Sequence, residues 1–153
     1  MQLSPAKINA FLFFKLPSAF LCGVRLKSIN DTSCTTSVKL RWINQNPFKS
    51  MFWAVQGMAA ELSTGALVMG YINESKKPVS MLVANNNASF SKKAKGRISF
   101  YCTDGLLIKD AIARTIATGE GQTCWMKAEG RDQEGNTVSN FSFEWTVKLK
   151  TKK

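Results

Sequence analysis

The sequence predicts an α+β domain in which a curved antiparallel sheet of about five to six strands wraps one long apolar helix. Two features carry this expectation. The run from Ser50 to about Tyr71 is apolar on nearly every side, which marks a helix buried all round or one that spans a membrane. The segments that flank it alternate apolar and polar residues, the pattern of strands with one wet face. No internal repeat and no linker composition interrupts the chain, so residues 1–153 read as one domain.

Taken in order, Pro5–Phe14 reads as a short helix with Pro5 at an early position, and Pro17 breaks it. From Phe20 the pattern turns β-like, clearest where Val38, Leu40 and Trp42 alternate with Ser37, Lys39 and Arg41. Asn44-Gln45-Asn46-Pro47 ends that strand. Asn46 is a candidate helix cap with Pro47 at the first helical position, and Ser50 is an alternative cap. After the long helix, Met81–Phe90 and Arg97–Cys102 are expected to pair around the basic link Lys92–Gly96. Asp104–Ala117 reads as a second helix. Gln122–Glu129 and Val138–Leu149 form a hairpin around Asp132–Asn136. In the last strand Phe141, Phe143, Trp145, Val147 and Leu149 share one face. A basic, frayed tail, Lys148–Lys153, closes the chain.

Charge and residue usage exclude several chemistries. Twenty-one Lys and Arg against ten Asp and Glu give a net charge of +11, which favours anionic partners. The chain has no histidine, so it cannot by itself build a Ser-His-Asp triad, a Cys-His pair or a His-containing metal site. Cys22, Cys34, Cys102 and Cys124 form no CxxC pair and read as reduced thiols of a cytoplasmic protein, with no metal site expected. Lys15 and Pro17 interrupt the apolar N-terminal run, which argues against a signal peptide. Gln56, Glu61, Ser63 and Thr64 lie near the centre of the long helix and argue against a membrane span.

Glu61 is the one charged residue between Lys49 and Glu74. A carboxylate on an apolar helix costs desolvation energy unless it is bonded, paired or facing a wet pocket, and partial burial raises its pKa toward the range of a general base. The alternative is a structural Glu that caps backbone or pairs with a lysine. The amides of Phe52 to Ala54, centred on Trp53, form an oxyanion site if they lie in the first helical turn; the Trp53 indole reads as core or pocket wall. Asn46 could orient water or a carbonyl, or simply cap the helix. Asn85-Asn86-Asn87 sits oddly in a strand and marks a polar pocket, a bulge or an exposed edge.

The segment Asn46-Pro47-Phe48-Lys49-Ser50-Met51-Phe52-Trp53-Ala54-Val55-Gln56-Gly57-Met58-Ala59-Ala60-Glu61 resembles the active-site segment of the PaaI-like and hydroxybenzoyl-CoA-type thioesterases of the hotdog-fold superfamily. In that family a loop Asn precedes a His-Gly-Gly at the helix start, with a helical carboxylate fifteen residues after the Asn, the separation of Asn46 and Glu61. Phe52, Trp53 and Ala54 stand at the His-Gly-Gly positions. Phe90–Arg97 is similar to the family's strand-end motif. The resemblance implies a hotdog fold, an acyl-CoA thioesterase with Glu61, Asn46 and Trp53 at its site, and a homodimer or dimer of dimers with pockets at the shared interface. It also implies no cofactor besides the CoA thioester substrate, whose phosphates Lys92, Lys93, Lys95 and Arg97 would receive; a solvated turn is the alternative for these four. Two other functions stand beside hydrolysis. One is a non-catalytic acyl-CoA or acyl-chain binder, favoured by the lost His-Gly-Gly. The other is a basic β-protein for single-stranded nucleic acid, disfavoured because Phe141, Phe143 and Trp145 share the face expected to be buried.

Overall fold

A computed structural model describes residues 3–150. Two short helices, α1 (Pro5–Lys15) and α2 (Pro17–Leu21), lead into strands β1 (Arg25–Ile29) and β2 (Cys34–Lys39). Helix α3 (Trp53–Ser75) follows, then β3 (Val79–Phe90), β4 (Arg97–Cys102), helix α4 (Gly105–Thr118), β5 (Gln122–Arg131) and β6 (Thr137–Leu149). The six strands form one antiparallel sheet in the order β1-β2-β4-β5-β6-β3. Helix α3 packs against this sheet, and its buried residues include Val55, Ala59, Ala60, Leu62, Ala66, Leu67 and Val68. No helix among the described residues is long and apolar enough to cross a membrane.

Small residues let α3 approach the sheet closely. A Cβ at Gly65 would stand 3.1 Å from the Trp145 ring, and one at Gly57 would stand 3.6 Å from Phe141. The expected face of β6 is indeed the inner one: Phe141, Phe143, Trp145 and Val147 are buried. Polar groups on the helix are tied to the sheet by three buried hydrogen bonds. Thr36 Oγ1 donates to the Ala59 carbonyl at 2.6 Å, Ser139 Oγ to Gln56 Oε1 at 2.8 Å, and Trp145 Nε1 to Thr64 Oγ1 at 2.9 Å.

Four expectations change. Pro17 breaks the first helix as expected, with Leu16 non-helical before it, but it also opens α2, because its fixed φ suits a first helical position, and the strand expected from Phe20 starts at Arg25. The strand expected to reach Trp42 stops at Lys39, and Trp42–Asn44 forms a 3-10 turn with Trp42 84% exposed. Buried Asn44 turns the chain there: its Nδ2 donates to the carbonyls of Cys22 and Lys39, and its Oδ1 accepts the Arg41 amide. Neither Asn46 nor Ser50 caps α3. Asn46 Oδ1 instead accepts the amides of Phe48 and Ser50, closing a tight turn with Lys49 at φ 57°, and the helix begins at Trp53 with no side-chain cap. Finally, β3 and β4 do not pair. β6 has two long edges and takes β5 on one and β3 on the other, from Val79↔Leu149 to Phe90↔Ser139. The basic link therefore crosses the end of the sheet, where the Met51 amide donates to the Ala94 carbonyl and the Leu40 amide to that of Gly96.

The sheet edges differ. Asn9 of α1 covers β1, its side chain accepting the Leu26 amide and donating to the Leu26 carbonyl. The β3 edge is open, carries no charged residue over its twelve positions, and holds a bulge between Val83 and Asn85. The Asn85–Asn87 run is thus a bulged, exposed edge. Of the basic tail, Lys148 and Leu149 belong to β6, and residues 151–153 lie outside the described residues.

Thr64→Val tests the buried ties. It keeps the shape of the side chain but strands the Trp145 indole N–H, and should lower unfolding free energy by about 1–3 kcal/mol, read from the urea midpoint at unchanged m-value.

Candidate functional site

Two cavities at different places along α3 hold most of the candidate site residues. The first, of about 400 Å³, is a cleft at the start of the helix, lined by Asn46, Phe52, Trp53, Gln56, Lys92 and Lys93 among others. The Asn46–Ser50 turn and the crossing link form its sides. Trp53 is 58% exposed and packs edge-on against Phe52, with ring centroids 6.1 Å apart, so its indole is pocket wall.

The helix start offers free donors. The Phe52 amide donates to the Asn44 carbonyl at 2.9 Å, so that member of the expected donor trio is already used. The amides of Trp53 and Ala54 open the first turn, where no intrahelical acceptor exists, and no described group accepts from them. Asn46 lines the cleft with its side chain engaged in holding the turn, its Nδ2 donating to Ser50 Oγ.

Of the four basic candidates, Lys92 and Lys93 line the cleft, while Lys95 and Arg97 do not. Lys92 is held by Asp132, Nζ to Oδ2 at 3.1 Å. Lys93 Nζ lies 5.9 Å from the Phe48 ring centroid. The link is therefore more than a solvated turn, but only half of it faces the cleft. Gln56, which the sequence marked only as a polar residue against a membrane span, is buried and lines the cleft. Its signal was the same as that of Glu61: a long polar side chain on an apolar helix.

Glu61 is eight residues beyond Trp53, about 12 Å along the helix axis. It lies on the second cavity, of about 340 Å³, whose walls include Leu12, Lys15, Met58, Leu62, Met81 and Trp145. Its side chain makes no hydrogen bond or ion pair with a described residue, Lys15 included. The residue is exposed, and partial desolvation raises its pKa above the ordinary carboxylate value. The structural alternative, a Glu that caps backbone or pairs with lysine, has no support in this geometry.

All four cysteines are unbridged. Burial pushes the Cys102 thiol up to about 12 and that of Cys124 to about 11, and raises Cys34 as well. Such thiols are inert as nucleophiles near neutral pH. Among the described residues no group of His, Cys, Asp and Glu could hold a metal ion.

A family model described as a domain of unknown function, DUF4442, matches residues 6–147. The chain belongs to the DUF4442 family. Solved structures agree with this on the scale of the whole fold. A Pseudomonas aeruginosa protein described as a probable thioesterase is 17% identical, with a TM-score of 0.81 over 96% of this chain and 97% of that one. A Chlorobaculum tepidum protein of unknown function is 16% identical, with a TM-score of 0.80 over 97% and 98%. A Haemophilus influenzae thioesterase is 11% identical, with a TM-score of 0.70 over 97% and 93%. No curated protein matches this DUF4442 chain by sequence. At these identities the likeness carries the fold, the hotdog fold, and leaves the chemistry to the site.

The DUF4442 carboxylate makes a signed stability prediction. The folded chain holds the Glu61 proton more tightly than the unfolded chain, so the stability this group lends is full below the ordinary carboxylate pKa and is lost as pH rises through the raised value. Glu61→Gln should therefore melt higher than wild type at pH 7, with the difference closing toward pH 4 in paired melting curves.

Proposed function

We propose that this DUF4442 domain hydrolyses an acyl-CoA thioester to a free acid and CoA, with Glu61 as general base. The observation that carries the reading is an unpartnered carboxylate of raised pKa on the wall of an apolar cavity, beside a cleft with free helix-start amides and a lysine. Glu61 takes a proton from water, and the water oxygen attacks the thioester carbonyl carbon. The Trp53 and Ala54 amides receive the resulting oxyanion. Its collapse breaks the C–S bond, and the proton on Glu61 passes to the departing sulfur. Asn46 shapes the cleft by holding its turn, and Lys93 meets the phosphates of CoA as a point charge.

The separation of the two half-sites along one helix supports a shared site. An open, uncharged edge such as β3 invites pairing with a second chain. An antiparallel two-fold pairing there would set the Glu61 of one protomer against the helix start of its partner. The reading thus includes a homodimer, and light scattering at micromolar concentration should return at least twice the chain mass.

On a panel of acyl-CoAs, Glu61→Gln should lower kcat by about 10²- to 10⁴-fold, because Gln keeps the shape but takes no proton at neutral pH. Wild-type rates in the variant would end this mechanism. Absence of turnover in wild type across the panel would favour the non-catalytic acyl-CoA binder, for which Phe52 and Trp53 are the supporting observation: bulky rings stand at the mouth of the cleft.

CoA should raise the melting temperature, less so as salt increases. Lys93→Ala should remove more of that shift than Lys95→Ala, since only Lys93 lines the cleft. A shift produced by oligonucleotides and by no CoA compound would put the exposed Trp42 and Phe48 to use as stacking platforms and favour nucleic acid instead.

A further inference from the structure

We propose that the groove between α1 and α3 holds a straight, long acyl chain of about twelve to sixteen carbons, making the substrate class a long-chain acyl thioester. The inference rests on the hydrolase reading for its starting point, the thioester carbonyl at Glu61. Next to the 340 Å³ cavity lies a second of about 300 Å³, and the two share Phe11, Met69 and Met81 as walls. On α3 the lining positions Met58, Glu61, Leu62, Gly65, Met69 and Ile72 are three or four residues apart or adjacent, which places them on one stripe of the helix. The groove thus follows the helix axis for some distance.

Its length sets the ligand. From Glu61, where the carbonyl would sit, to Asn73, the last lining position on α3, is twelve residues or about 18 Å, with Met58 one turn behind the carbonyl. An extended chain advances about 1.2 Å per bond, so about fourteen carbons fill the span. Its cross-section sets the shape. Cavities of 340 and 300 Å³ cannot admit a helix about 10 Å across, whereas a methylene chain is thin enough. Its lining sets the polarity. Glu61 is the only carboxylate in the lining, and Lys15 and Lys7, both from α1, line the near and the far cavity respectively, each with a long apolar stem. Methionines 58, 69 and 81 give soft walls that adapt to a flexible chain. Gly65 keeps the floor flat, since a Cβ there would press on Trp145. Helix α1, which lies outside the segment that resembles a thioesterase motif, is on this account the specificity element of the domain.

Two series test the idea in parallel on the full chain. One measures kcat/KM for straight acyl-CoAs from four to eighteen carbons, and the other measures affinity for free fatty acids of the same lengths by calorimetry. Both should rise about fourfold per methylene and level off near fourteen carbons. Met69→Trp, which fills a wall common to both cavities, should move the plateau to shorter chains. Phe11→Trp on the half-exposed face of α1 should do the same, and still reads the groove if the α3 variant fails to fold. A flat series in both measurements, or variants that fold with an unchanged chain-length profile, would overturn the proposal. A change in oligomeric state with no change in profile would assign the groove to a protein contact and overturn it equally. A protein that binds fatty acids with this profile and cleaves none loses the hydrolase reading alone. One that cleaves short or aromatic acyl-CoAs and binds no long chain loses the groove alone.

Discussion

The burial of α3 is the constraint on which the rest of the structure depends. A helix of 23 residues that turns most of its surface inward gains a large hydrophobic contribution, but each polar side chain on it then needs a partner in the sheet. Thr64 and Gln56 find theirs in Trp145 and Ser139. Ser63 bonds back to the Ala60 carbonyl within the helix, and Thr36 reaches across from β2 to the Ala59 carbonyl. These bonds fix the rotation of the helix about its axis, because a turn of one residue would strand several buried groups at once. Against that background Glu61 stands out. It is the helix's one charge before its C-terminal turn, and the sheet offers it nothing. The residue is exposed, so water rather than the sheet meets its carboxylate.

The same rotation decides which parts of the site can meet. With α3 locked, the Trp53 end of the helix lines the cleft under the crossing link, and Glu61 lines the groove beside α1. No side-chain rearrangement within one chain closes about 12 Å along a helix, so a reaction that needs both must bring a second copy. The two sheet edges bear on this. Asn9 seals the β1 edge by pairing with both backbone groups of Leu26, whereas β3 presents an edge without a single charge. Natural sheets usually protect such an edge, and an unprotected one beside a divided site is consistent with pairing between protomers.

Electrostatics divide the surface in a related way. No Asp or Glu occurs from residue 32 to 60 or from 75 to 103, and those stretches supply the loop, the helix start and the crossing link that build the cleft. The acids that do approach come from the β5–β6 turn, where Asp132 holds Lys92. That pair is exposed and contributes little to stability. Its role in the geometry is to fix the link, leaving Lys93 as the cation at the cleft.

The sequence by itself determined the fold class, because apolar periodicity is a property of the chain alone: a helix apolar all round needs a wrapping sheet, and the alternation in β6 names the face that wraps it. It also made Glu61 conspicuous, as the one charge in an apolar run of that length. Strand partnership was not legible. Whether β3 joins β4 or β6 depends on competition between edges far apart in sequence, and local spacing favoured the wrong neighbour. The capping of α3 was misread for a similar reason: Asn46 and Ser50 have the chemistry of caps, but buried Asn44 and the crossing link redirect the chain three residues further on. Only tertiary structure could show that Lys92 and Lys93 turn to the cleft while Lys95 and Arg97 do not, that Glu61 has no partner, and that α1 walls a groove leading away from it. Each of these depends on what lies across a gap between elements, and a linear chain carries no record of its gaps.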